Sequence, residues 1–113
     1  MERENAWNKY NAVELEVVND FAKDYIKYIS DCKTERECVT RSVELAKAAG
    51  YKDLAEIIKN GESLKTGDKV YAVNKGKAIV LFCIGEEPLE NGMNILGAHI
   101  DSPRLDIKQN PLY

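Results

Sequence analysis

Between Asn11 and Asp31 the apolar side chains recur every four residues, at Val13, Val17, Phe21, Tyr25 and Ile29, and Val18, Ala22 and Ile26 widen the stripe. A period close to 3.6 residues aligns such positions on one face, so the spacing predicts an amphipathic helix here. Thr34-Glu35-Arg36-Glu37 then reads as a capping box, in which the Thr34 hydroxyl accepts from a first-turn amide and Glu37 reaches back to the Thr34 N–H. The helix it opens carries Val39, Val43, Leu45 and Ala46, and Gly50 is placed to close it in a left-handed conformation. A shorter helix over about 52–59, with Leu54, Ile57 and Ile58, stops at Asn60-Gly61.

After Gly67 the period falls to two. Lys69–Val73 and Lys77–Ile84 read as strands joined by a tight turn at Asn74-Lys75-Gly76, which makes a hairpin. The run Ile79-Val80-Leu81-Phe82 does not alternate, which predicts a strand covered on both faces. A polar loop with Glu86, Glu87 and Glu90 leads to a third strand at Met93–Ala98, and Leu105–Lys108 reads as a short fourth. The fold class expected is mixed α+β or α/β, with a helical region over about 11–60 and a β region over about 68–108. No internal repeat, low-complexity tract or flexible linker interrupts it.

Composition narrows the function classes. The chain has 113 residues, 44% of them hydrophobic, and a formal net charge of −3 with both signs interspersed. That length suits one domain, and the absence of a basic stripe argues against nucleic acid. Met1-Glu2-Arg3-Glu4-Asn5 lacks the apolar core of a signal peptide. Ala78–Ile84, the longest apolar run, is too short to cross a bilayer, so no membrane partner is expected. The three cysteines fit buried free thiols in a reducing, cytoplasmic compartment.

The candidate chemistry lies at Gly97-Ala98-His99-Ile100-Asp101-Ser102-Pro103, which holds the only histidine. Neutral imidazole is a common zinc ligand, and a carboxylate often fixes its tautomer from behind. In an extended chain residues i and i+2 share a face, which puts His99 and Asp101 beside one pocket. Other features carry little chemistry. Glu86, Glu87 and Glu90 read as solvated loop acids, and Tyr25 and Tyr28 as core or interface. Cys32 and Cys38 lack the spacing of a zinc knuckle, Gly61 to Gly67 lacks the Gly-Lys-Ser/Thr of a phosphate loop, and Arg104 reads as a salt-bridge partner.

The string from Gly97 to Pro103 resembles the first metal-binding motif of the aspartyl aminopeptidase family of zinc metallopeptidases. The resemblance continues through Leu105 into Lys108-Gln109-Asn110-Pro111-Leu112-Tyr113, as in bacterial members. It implies that His99 binds zinc and that Asp101 is the catalytic carboxylate behind it. It also implies two zinc ions per complete subunit, peptide substrates cleaved at their N-terminal residue, and homo-oligomers. The helices and strands would then form part of a larger metallopeptidase α/β sheet. Only one recognisable ligand is present, whereas catalytic zinc needs about three from the protein. The 113 residues are therefore expected to be the amino-terminal part of the catalytic domain of a longer enzyme, inactive alone. The alternative is a complete small α+β binding or assembly module in which His99 is structural.

Overall fold

The computed structural model describes residues 3–101, 105, 107–110 and 112. Two compact units divide the chain, Met1–Asp31 and Cys32–Tyr113.

In the first unit a 3-10 turn, Ala6–Asn8, precedes helix α1, Ala12–Asp31. Asn11 starts α1 by a reciprocal cap. Its Oδ1 accepts from the amides of Val13 and Glu14, both at 3.0 Å, while the Glu14 carboxylate accepts from the Asn11 N–H at 2.8 Å. This satisfies amides that the first turn would otherwise leave unpaired. The periodic stripe lies on α1 with Val13, Val17, Phe21 and Tyr25 exposed, so Tyr25 is a surface residue and not a core one.

The second unit opens with helix α2, Glu35–Ala48, and here the capping box forms as its sequence predicts. Thr34 Oγ1 accepts from Glu37 N at 3.3 Å, and Glu37 Oε2 accepts from the amides of Lys33 and Thr34 at 2.8 Å. Hydrogen bonds from these amides and from the Thr34 side chain hold the Glu37 carboxyl below its ordinary pKa. At the other end Gly50 takes φ 86°, and the amides of Gly50 and Tyr51 close back on Lys47 O and Ala46 O.

Lys52–Asp53 forms a two-residue strand, β1, where the hydrophobic pattern predicts helix. Helix α3 begins only at Leu54 and runs to Lys59, capped by Asp53 Oδ1, which accepts from Ala55 N at 2.8 Å. The difference is physical: β1 exists because Lys52 and Asp53 pair in parallel with Val70 and Tyr71, a tertiary ladder that leaves no local period.

Strands β2, Lys69–Asn74, and β3, Ala78–Cys83, form the predicted antiparallel hairpin, with sheet order β1-β2-β3. The turn sets Lys75 and Gly76 at φ 52° and 66°, both left-handed, as a type I′ hairpin turn requires. Arg36 Nη1 donates to Lys75 O at 3.0 Å, which ties the start of α2 to this turn. A Cβ on Gly76 would stand 3.0 Å from that same guanidinium nitrogen, so the position favours glycine twice over.

The core comprises Cys32, Cys38, Val39, Ala46, Ile57, Val70 and Tyr71, so two of the three thiols are buried as expected. Cys83 is exposed, against that expectation, because β3 ends the sheet among the described residues. For the same reason β3 is not covered on both faces. Val80 and Leu81 point to opposite faces and are 60% and 45% exposed.

Three expected outcomes follow from this architecture. Thr34→Ala should lower the stability of the second unit by about 1 kcal/mol, read by urea unfolding followed by circular dichroism. Because the folded-state pKa of Glu37 is depressed, its contribution is present above the ordinary carboxylate range and lost as pH falls through the folded value. The stability gap between wild type and Glu37→Gln should therefore close on acidification. A gap that is constant with pH would refute the capping role. Strand β3 carries no charge or proline along its open edge, which makes it a template for intermolecular pairing. The 113-residue chain should self-associate in light scattering, and Val80→Lys should shift it towards monomer; an unchanged mass distribution would refute edge pairing.

Candidate metal centre

The site lies after the sheet. A 3-10 turn, Leu89–Asn91, leads through Gly92 at φ 103° into the apolar stretch that ends at the histidine. Met93–Ala98 is not the predicted strand: no backbone hydrogen bond forms along it among the described residues, and Ile95 and Leu96 are 83% and 99% exposed. A strand is held by its ladder, and apolar side chains alone do not supply one. Of the expected fourth strand, Leu105, Ile107 and Lys108 are not in a strand and Asp106 lies outside the described residues.

At the end of this stretch, with neither turn nor bend at 99–101, the His99 side chain meets the residue two positions on. His99 Nδ1 lies 2.8 Å from the carbonyl oxygen of Asp101 and 3.1 Å from its Oδ1. Both partners are acceptors, so Nδ1 must be the donor and carries the ring proton when the imidazole is neutral. The lone pair then sits on Nε2, on the far side of the ring. The side chains are 79% and 68% exposed, which leaves that face open to solvent. Such an imidazole, with one nitrogen held and the other free, suits one coordination position of zinc.

Sequence reasoning anticipates the carboxylate partner but not the shorter bond to the Asp101 backbone, for which no side-chain pattern exists. The remaining ligands of a catalytic site are not assembled. Among the described residues no three His, Cys, Asp or Glu side chains stand close enough to hold a metal ion. Glu87 accepts instead from Asn91 Nδ2 at 2.9 Å within its loop. Ser102, Pro103 and Arg104, the last considered above as a salt-bridge partner, lie outside the described residues. No helix of the described residues is long and apolar enough to cross a membrane.

Comparison with known proteins places this chain in a family. Residues 28–112 match the model of the aminopeptidase I zinc metalloproteases, M18. The chain is 54% identical over 112 residues to a probable M18 family aminopeptidase 1 of Clostridium acetobutylicum, across 99% of this chain and 24% of that protein. It is 39% identical to the protein of the same description in Thermotoga maritima, again across 99% of this chain and 23% of the relative. Among solved structures it resembles aminopeptidase I of Borrelia burgdorferi B31, with TM-score 0.80 and 36% identity over 93% of this chain and 25% of that one. A crystal structure of an M18 aminopeptidase of Thermotoga maritima matches with TM-score 0.76 and 38% identity, over 98% and 23%. The chain thus spans about a quarter of the length of the relatives it matches.

With one imidazole and one adjacent carboxylate, the 113-residue chain should bind zinc weakly. Calorimetry at neutral pH should give a dissociation constant above about a micromolar, weaker than roughly 8 kcal/mol. Tighter stoichiometric binding would reveal ligands beyond His99.

Proposed function

The chain belongs to the M18 family of aminopeptidase I zinc metalloproteases, and on that premise we propose that it contributes the first metal-binding element of a zinc aminopeptidase removing N-terminal residues from peptides. One observation carries the assignment of roles. Asp101 holds His99 by Nδ1 through two oxygens, and Nε2 is left free. His99 is the zinc ligand, and Asp101 is the carboxylate that acts on the reaction through the ring.

Zinc, when bound, supplies Lewis acidity at the scissile carbonyl and activates water. The chain's own part is to present the ligand. Proton donation from Nδ1 to Asp101 fixes the tautomer with its lone pair at Nε2, and the carboxylate charge raises the basicity of the ring. Two zinc ions per complete subunit, homo-oligomeric assembly and a cytoplasmic location belong to the same reading. Free thiols at Cys32, Cys38 and Cys83 support a reducing compartment, and the net charge of −3 gives no attraction for nucleic acid. The rival reading, a small binding module with a structural histidine, has no observation in its favour.

The test uses a full-length enzyme carrying this segment. His99→Ala should lose one metal and nearly all peptidase activity. Asp101→Asn keeps the backbone carbonyl that accepts from Nδ1, so it should retain more metal than His99→Ala. Its activity should nonetheless fall about 10- to 100-fold, because the charge is gone and the amide NH2 competes for the wrong tautomer. Metal content by elemental analysis and kcat on aminoacyl anilides decide it. Near-normal turnover of Asp101→Asn at full metal occupancy would refute the role given to Asp101.

A further inference from the structure

Away from His99, a cavity of about 230 Å³ opens where the end of α2, strand β1, helix α3 and strand β2 meet. Tyr71 lines it and is only 3% exposed, yet its hydroxyl has no hydrogen-bond partner among the described residues. That hydroxyl is not a buried unsatisfied atom either, so it reaches accessible space, and the cavity supplies that space. A phenol carried into the core and left without a protein partner is a polar group awaiting one.

The other lining groups sort by whether they are already engaged. Asp53 accepts from the amide of Ala55, and Glu62 accepts from Asn60 Nδ2 at 2.9 Å. Lys47, Lys52 and Glu56 have no side-chain partner among the described residues. The uncommitted set is therefore two ammonium groups, the phenols of Tyr71 and Tyr51 and one carboxylate, with Ile57 and the Tyr51 ring, which Lys69 Nζ overlies at 5.7 Å, as wall. Lys47, Lys52 and the core-borne Tyr71 hydroxyl are donors that suit a carboxylate, and Glu56 is an acceptor that suits an ammonium group. The cavity is smaller than the roughly 300–1,000 Å³ of drug-sized sites, which fits a compact ligand. No three acidic, cysteine or histidine side chains among the described residues make a metal cluster there.

We propose that this cavity binds a free α-amino acid, its carboxylate received by Tyr71 Oη, Lys47 and Lys52 and its ammonium group by Glu56. The proposal does not rest on the peptidase reading, since neither His99 nor a metal takes part. Equilibrium dialysis of the zinc-free 113-residue chain against labelled L-leucine tests it, and dialysis tolerates self-association. Saturable binding of one equivalent, with a dissociation constant below about 10 mM, is expected. Tyr71→Phe removes only the hydroxyl and should weaken binding about fivefold, the net worth of one hydrogen bond. Lys52→Gln, at an exposed position, provides a second reading that does not disturb the core and should weaken binding at least as much. Acetate and n-butylamine, each carrying one of the two charges, should compete poorly. Binding that does not saturate, that is unchanged in both variants, or that acetate displaces as well as leucine does would overturn the proposal.

Discussion

Val70 and Tyr71 are neighbours on β2, point to opposite faces of the sheet, and are each 3% exposed. The second unit is organised around this double burial. Two adjacent strand residues can both be enclosed only if cover is present on both faces and ladders on both edges. The ladders are β1, parallel to β2 through Lys52 and Asp53, and β3, antiparallel over six paired positions from Lys69 to Asn74. Helices α2 and α3 supply apolar side chains, Val39 and Ala46 from one and Ile57 from the other. Arg36, reaching from the first turn of α2 to the Lys75 carbonyl, sets where that helix lies along the hairpin.

This dependence explains which parts of the fold are legible in the chain. Features governed by a few consecutive residues can be read directly. The capping box at Thr34 and Glu37, the left-handed glycines at 50 and 61, and the turn at Lys75-Gly76 all occur where local chemistry puts them. Features governed by a ladder between segments distant in sequence are not legible. Lys52-Asp53 looks helical because Leu54, Ile57 and Ile58 follow it, but pairing with β2 decides its conformation. Met93–Ala98 is the converse case, a strand-like composition without a ladder. The Asn11 cap is a missed local signal, since Asn11 and Glu14 have the spacing of a capping box with asparagine in place of serine or threonine.

The candidate site divides along the same line. Its two residues are visible in sequence because they lie two apart, and the spacing argument assumes a strand to bring them to one face. No strand is present, and yet they meet. The contact is made by the His99 side chain within three residues, so that both the carbonyl and the carboxylate of Asp101 face its Nδ1. Orientation of the imidazole is thus a local property of His-x-Asp and does not wait on the sheet. The other ligands of a catalytic zinc would be a tertiary property, and among the described residues they are not assembled.

The double contact also assigns different work to the two oxygens. The backbone carbonyl, at 2.8 Å, is the nearer acceptor and survives any substitution at 101, so it favours the Nδ1–H tautomer unless the side chain there competes as a donor. The carboxylate, at 3.1 Å, adds what the carbonyl lacks, a full negative charge behind the ring. On the proposed reading, that charge would strengthen Nε2 as a donor to a cation and stabilise the ring as it shares positive charge with a bound metal. Geometry alone would be met by many residues at 101, whereas the electrostatic part is met only by an acid. On the proposed reading, the part of Asp101 is therefore one of charge at a fixed distance, with placement of the ring secured by the peptide itself.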